Sequence, residues 1–182
     1  KADKVLPGVD KVILDINNSM SAHLPSSEIS AINNNAGIKA VKVGNDTFEV
    51  IKKSIAYSKI TNGKFDITIG PLTSMWNIGN EDARVPEKTE IENVLKLINS
   101  EDILLDEANK TVYLKKKAMK LDLGGIAKGY CADKVAEYLK ENGVKDAIVN
   151  LGGNIYVMGK NESKKDFVVG IQNPRLKSSD SM

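Results

Sequence analysis

The run Leu121-Asp122-Leu123-Gly124-Gly125-Ile126-Ala127-Lys128-Gly129-Tyr130 sets the tightest constraint on how this chain folds. Alternating apolar residues lead into a glycine pair, and a helix pattern begins just beyond it. Bare backbone, a helix N-terminus, a carboxylate and a lysine therefore meet at one point. Phosphates bind at points built this way, because open N–H groups and the helix dipole favour an anion, and metal ions bind there through the carboxylate. Two further runs, Thr61 to Leu72 and Asn150 to Ile155, place glycines and an aspartate on either side of it in sequence.

Each residue also has a plainer role open to it. Asp122 shares a strand face with Lys120 and could be a solvated strand residue; beside the glycine pair it could instead hold a ligand hydroxyl or help hold a cation. Lys128, about one turn into the helix, could be solvated or could face the same anion. Asp66, after the helix-ending pair Asn62-Gly63, could close an Asx turn. Phe65 could be core, and Gly152-Gly153 could be a bulge between strands. His23 is the only histidine, and nothing around it has the spacing of a metal-ligand set.

Periodicity predicts helices first and strands later. Val9, Val12, Ile13, Ile16 and Met20 recur at helical spacing, and Pro25 breaks that helix. A short helix is expected over 26–33. A longer one is expected to be opened by an Asp46/Glu49 capping box, to turn Phe48, Ile51 and Ile55 inward, and to end at Asn62-Gly63. Pro86-Glu87 opens another, with Ile91, Val94, Leu95 and Ile98 inward. Beyond it, 103–106 and 111–114 read as a hairpin, 118–123 as a third strand, 125–142 as a helix, and 147–151, 155–158 and 167–171 as strands. The polar tail 177–182 is expected to be disordered. Helices followed by antiparallel hairpins make an α+β domain.

The bulk numbers are those of an ordinary globular domain, with 41% hydrophobic and 27% charged residues. A net charge of +2 gives no electrostatic case for nucleic acid. Lys115-Lys116-Lys117 is the one basic run and reads as a solvated turn. The single cysteine, Cys131, excludes an internal disulfide and reads as a small buried residue. No apolar run approaches the ~20 residues of a membrane span.

Taken in order, these runs resemble the FAD:protein FMN transferase family, the ApbE-type flavin transferases. Ser21 to Asn33 is similar to that family's serine-rich lead-in. Thr61 to Leu72, with Trp76, resembles its Thr-x-Gly-x-Phe-Asp-x-Thr-x-Gly-Pro-Leu…Trp signature. Leu121 to Asp133 resembles Asp-Leu-Gly-Gly-Ile-Ala-Lys-Gly-Tyr-x-x-Asp. Asn150 to Ile155 and Gly170 to Pro174 resemble its Gly-Gly-x-Ile and Gly-Ile-Gln-x-Pro segments.

The resemblance implies a T-fold-related α+β domain, an antiparallel sheet with packed helices, across 1–182. It implies FAD as substrate and magnesium as cofactor. FMN would move to a threonine hydroxyl of a target flavoprotein, with release of AMP; some members instead hydrolyse FAD to FMN and AMP, and a non-catalytic FAD-binding remnant is the other alternative. The family's flavin-contacting positions fall on His23, Lys64, Phe65, Asp66, Asp122 and Lys128, and its carbonyl ligand to magnesium falls on Gly125. No catalytic residue is assigned. The family's Met-Gly-Thr strand, its His-x-x-Asp-Pro-x-Thr-Gly run and its magnesium-binding aspartates are not among these 182 residues. The domain is thus expected to be incomplete at both ends relative to the family, with flavin binding outlasting catalysis. The implied location is the extracytoplasmic face of the bacterial cell envelope, with any membrane attachment through an N-terminal lipid anchor.

Overall fold

The computed structural model describes residues 2–171 and Asn173. The sequence elements that fall on Gln172, on Pro174 and on the tail 177–182 lie outside the described residues. The chain runs α1 (Ala2–Met20), α2 (Glu28–Asn34), β1 (Val41–Lys42), α3 (Asn45–Ile60), α4 (Gly70–Trp76), α5 (Lys88–Leu95), a 3-10 turn (Ser100–Asp102), β2 (Ile103–Asp106), β3 (Thr111–Leu114), α6 (Ala127–Glu141), β4 (Ala147–Leu151) and β5 (Asn154–Met158). β3 lies between β1 and β2 in an antiparallel sheet, and β4 and β5 form a separate antiparallel pair. The molecule is therefore the α+β domain that the order of patterns predicts.

The core forms where the apolar faces converge. Phe48, Val50 and Ile51 of α3, Ile29 and Ile32 of α2, Val112 and Leu114 of β3 and Val135 of α6 are all buried in one cluster with Ile16 and Met20 of α1. α1 and α6 pack closely at Gly8, where a Cβ would collide with the Tyr138 ring. Cys131 is buried, and burial raises its thiol pKa, so it packs as a small apolar residue.

Several local expectations give way to tertiary contacts. Residues 118–123 do not form a ladder strand: the segment makes one isolated parallel bridge, Ile69 with Lys120. The alternation survives, with Met119, Leu121 and Leu123 all buried. What replaces the missing neighbour is a side chain. Asn33 Nδ2 donates to Leu121 O at 3.0 Å, and the Leu121 N–H donates to Asn33 Oδ1 at 2.7 Å. Residues 167–171 are likewise not a strand. Gly152 and Gly153, at φ +62° and +91°, make a two-residue hairpin turn between β4 and β5 instead of a bulge. In α5, Leu95 is 49% exposed, so it does not face inward. The lysine run is not merely solvated: Lys115 and Lys116 stand 3.6 and 2.7 Å from the Asp102 carboxylate. The Lys116 hydrogen bond does most to hold that carboxyl below its usual range.

The Asp46/Glu49 capping box does not form. α3 starts at Asn45 with Gly44 as N-cap and no side-chain cap of its own, and Asp46 takes a hydrogen bond from the Tyr130 hydroxyl at 2.6 Å. The capping role passes to another helix: Glu28 Oε1 accepts the Gly44 N–H at 2.7 Å. Glu28→Ala is accordingly expected to cost about 1–2 kcal/mol, the scale of a lost N-terminal cap. Urea unfolding measures it, and a loss below about 0.3 kcal/mol would show that water replaces this contact at no cost.

Candidate functional site

Three segments meet around Asp122. The loop between α1 and α2 carries His23. Its shape is set by Ser27, whose hydroxyl donates to Ser21 O at 2.6 Å and accepts the Ser30 N–H at 2.9 Å as the cap of α2. The second segment is 61–73, which leads into α4. The third is the turn 121–126 before α6.

Asp122 is fixed on every side. Its backbone N–H donates to Ile67 O at 2.8 Å. Its Oδ1 accepts the Gly124 N–H at 2.8 Å, and its Oδ2 accepts the Thr73 hydroxyl at 2.9 Å. A Cβ at Gly124 would stand 3.0 Å from Asp122 Oδ1, so a larger residue there would press on the carboxylate. α6 then begins with Ile126 as N-cap and no side-chain cap. Its first turn holds no acidic residue, and Lys128 stands there exposed. The Tyr130 hydroxyl, two residues on, ties this helix start to Asp46. Burial, and then the Asp46 contact, raise its pKa well above the ordinary phenol range, so it remains a donor.

Two clefts flank this turn. The larger, about 820 Å³, is lined by His23, Asn33, Thr73, Trp76, Lys120 and Asp122 among others. The smaller, about 440 Å³ and mostly apolar, is lined by Ile16, Met20, His23, Asp122, Lys128 and Leu151 among others. Ala22, His23 and Asp122 border both, so the clefts meet at those three residues.

The structure thus brings His23, Asp122 and Lys128 to one place. Lys64, Phe65 and Asp66 line neither cleft. Phe65 lies beneath the turn, where a Cβ on Gly125 would come 3.3 Å from its Cε2, and it meets Tyr57 edge to face. Asp66 closes an Asx turn: Oδ1 accepts from Thr68 N–H and hydroxyl at 2.8 and 2.6 Å, while Oδ2 accepts the Ser100 N–H at 3.0 Å. Lys64 is exposed. Gly125 sits exposed in the turn next to Asp122.

Sequence reasoning singles out neither Thr73 nor Asn33. Thr73 stands directly after Gly70-Pro71-Leu72, and a hydroxyl one turn past a glycine-proline helix start is the signal that could have found it. Nothing local marks Asn33, which acts 88 residues away.

Chemically, the arrangement offers a positive helix end and a lysine to an anion, and a fixed carboxylate to a hydrogen-bond donor. It does not make a metal cage by itself. Among the described residues no three of His, Cys, Asp and Glu converge, and both Asp122 oxygens already have protein donors.

Comparison with known proteins places the chain in a family. The model of the ApbE family matches residues 4–182. The chain is 35% identical over 155 residues to the FAD:protein FMN transferase of Klebsiella pneumoniae, covering 85% of this chain and 47% of that protein. It is 32% identical over 171 residues to that of Vibrio cholerae, covering 92% and 50%. Among solved structures it is similar to the ApbE protein of Thermotoga maritima, with a TM-score of 0.88, 31% identity and coverage of 95% and 56%. It is also similar to the flavin transferase ApbE of Vibrio cholerae, with a TM-score of 0.88, 27% identity and coverage of 96% and 56%. The chain spans about half the length of the curated relatives it matches. With a family model matched almost from end to end and the fold shared with solved members, this chain belongs to the ApbE family.

Proposed function

We propose that this chain holds FAD for transfer of its FMN half to a threonine hydroxyl of a target flavoprotein. The observation that carries the proposal is the turn 122–128, which sets a fixed carboxylate, bare glycines and a lysine-bearing helix start at the meeting of two clefts. A ligand with a negative middle and two bulkier ends suits that shape, and FAD is such a ligand. Lys128 and the start of α6 attract the pyrophosphate. Asp122 accepts from a hydroxyl or amino group of the ligand. His23 closes the site from the opposite loop. Phe65 supports the glycine turn from below, and Asp66, bonded to Thr68 and Ser100, holds the segment that carries it.

In the transfer, the threonine oxygen forms a new bond to the phosphorus of the FMN phosphate. The bridging P–O bond breaks, AMP leaves with the electron pair, and the hydroxyl proton is lost. Magnesium enters the proposal through family membership, its chemistry when bound being to offset phosphate charge. Gly125 is the position in this chain assigned to it. The location that goes with this function is the extracytoplasmic face of the bacterial membrane.

Calorimetry with FAD and riboflavin tests the site. FAD is expected to bind more tightly, and equal affinities would overturn the assignment of the glycine turn to pyrophosphate. Lys128→Ala is expected to weaken FAD binding by about 1–3 kcal/mol, roughly five- to 150-fold, with little change in stability. An unchanged affinity would reduce Lys128 to a surface residue. Incubation with FAD, magnesium and a threonine-bearing target, followed by assay for AMP and flavinylated product, tests the reaction. AMP without flavinylated product would make the activity an FAD pyrophosphatase.

A further inference from the structure

We infer that Thr73 is a positioning residue for the Asp122 carboxylate, and through it for FAD; the inference rests on the proposal that Asp122 touches that ligand. Asp122 lies between two clefts with one side chain to serve both, so the direction of its lone pairs decides what it can accept. Its backbone is pinned by Ile67 O, and Oδ1 by the Gly124 N–H within the same turn. Neither contact alone fixes rotation of the carboxylate plane. The third does: Thr73 Oγ1 donates to Oδ2 at 2.9 Å, from an element 49 residues away in sequence.

The hydroxyl has one proton and two acceptors in reach, Asp122 Oδ2 at 2.9 Å and Gly70 O at 3.2 Å. The carboxylate is closer and charged, so it takes the proton. α4 can bring Thr73 this near only because its first residue is Gly70, packed directly on the Lys120 backbone. Thr73 also lines the larger cleft, which Asp122 borders as well. Without the hydroxyl, Oδ2 is free to swing toward water, and part of the ligand's binding free energy goes into re-ordering it.

The test is FAD affinity by calorimetry for the unaltered chain, Thr73→Val, Thr73→Ser, Asp122→Asn and the double variant Thr73→Val/Asp122→Asn, with melting temperatures as the folding control. Thr73→Val keeps the shape and removes the donor. It is expected to weaken FAD roughly three- to tenfold, a partly exposed hydrogen bond to a charge being worth less than a buried one. Thr73→Ser is expected to restore affinity, and Thr73→Val to add nothing in the Asp122→Asn background. Thr73→Ala carries the same expectation and serves if the valine variant does not fold. Weakening by Asp122→Asn with none by Thr73→Val overturns this inference and leaves the flavin site standing. Independent, additive losses overturn it too, because Thr73 would then act by its own contact. No loss from Asp122→Asn removes Asp122 from the flavin site, and this inference with it.

Discussion

Asn33→Ala is expected to lower the unfolding free energy by about 2–4 kcal/mol and to weaken FAD binding at the same time. Asn33 supplies both hydrogen bonds that a neighbouring strand would have given Leu121, one donated at 3.0 Å and one accepted at 2.7 Å. The Leu121 side chain is fully buried, and truncation leaves its part-buried N–H and C=O at the wall of the larger cleft without their partner. An unsatisfied backbone group costs about 1–3 kcal/mol when buried, and two part-buried ones lose their partner here. The next residue is Asp122, so slackening at Leu121 reaches the site directly. Asn33→Asp is expected to be nearly as damaging, because its second oxygen would face the Leu121 carbonyl without a proton. Urea unfolding gives the first number and calorimetry the second; a stability loss under about 0.5 kcal/mol, within the range of ordinary surface changes, would show that the contact is dispensable.

Gly70→Ala is expected to cost about 2–3 kcal/mol and to separate Thr73 from Asp122. A Cβ at Gly70 would stand 2.6 Å from Lys120 O and 2.9 Å from Lys120 C. Those are backbone atoms held by the Ile69–Lys120 bridge, so relief requires α4 to lift away. Overpacking of this kind costs about 1–3 kcal/mol when the surroundings cannot yield. Gly170→Ala is the control, because nothing lies within 4 Å of a Cβ there, and it is expected to stay within about 0.5 kcal/mol of the unaltered chain. A Gly70→Ala variant as stable as that control would mean that α4 is not seated on the Lys120 backbone.

Much of the fold is written in short-range pattern. The apolar spacing of α1, the hairpin of β2 and β3 and the buried alternation of Met119, Leu121 and Leu123 all arise from residues a few places apart, although α1 ends at Met20, before Pro25 is reached. The turn at Gly124-Gly125 leading into a helix arises in the same way, and with it the placing of Asp122 and Lys128 near one point. His23 joins them only in three dimensions, since the loop that carries it lies about a hundred residues earlier in sequence.

Other features were decided by the tertiary structure alone, because they depend on which distant backbone a side chain meets. Asp46 and Glu49 have capping-box spacing, yet Glu28 arrives from α2 and takes the Gly44 N–H instead. Asp66 can accept from several donors, and the fold directs it to Thr68 and Ser100, away from the clefts. Residues 118–123 have a strand's alternation, which records burial on one face, but a ladder also needs a neighbour. At Leu121 the fold supplies an asparagine side chain in its place. Thr73 stands one turn past a glycine-proline helix start, but only the fold brings its hydroxyl to 2.9 Å from Asp122. Local pattern determined which groups of this chain are turned inward and where its chain reverses; only the packing of α2, α4 and the 121–126 turn decided which polar atoms pair, because hydrogen bonds act over a few ångströms in space whatever the separation along the chain.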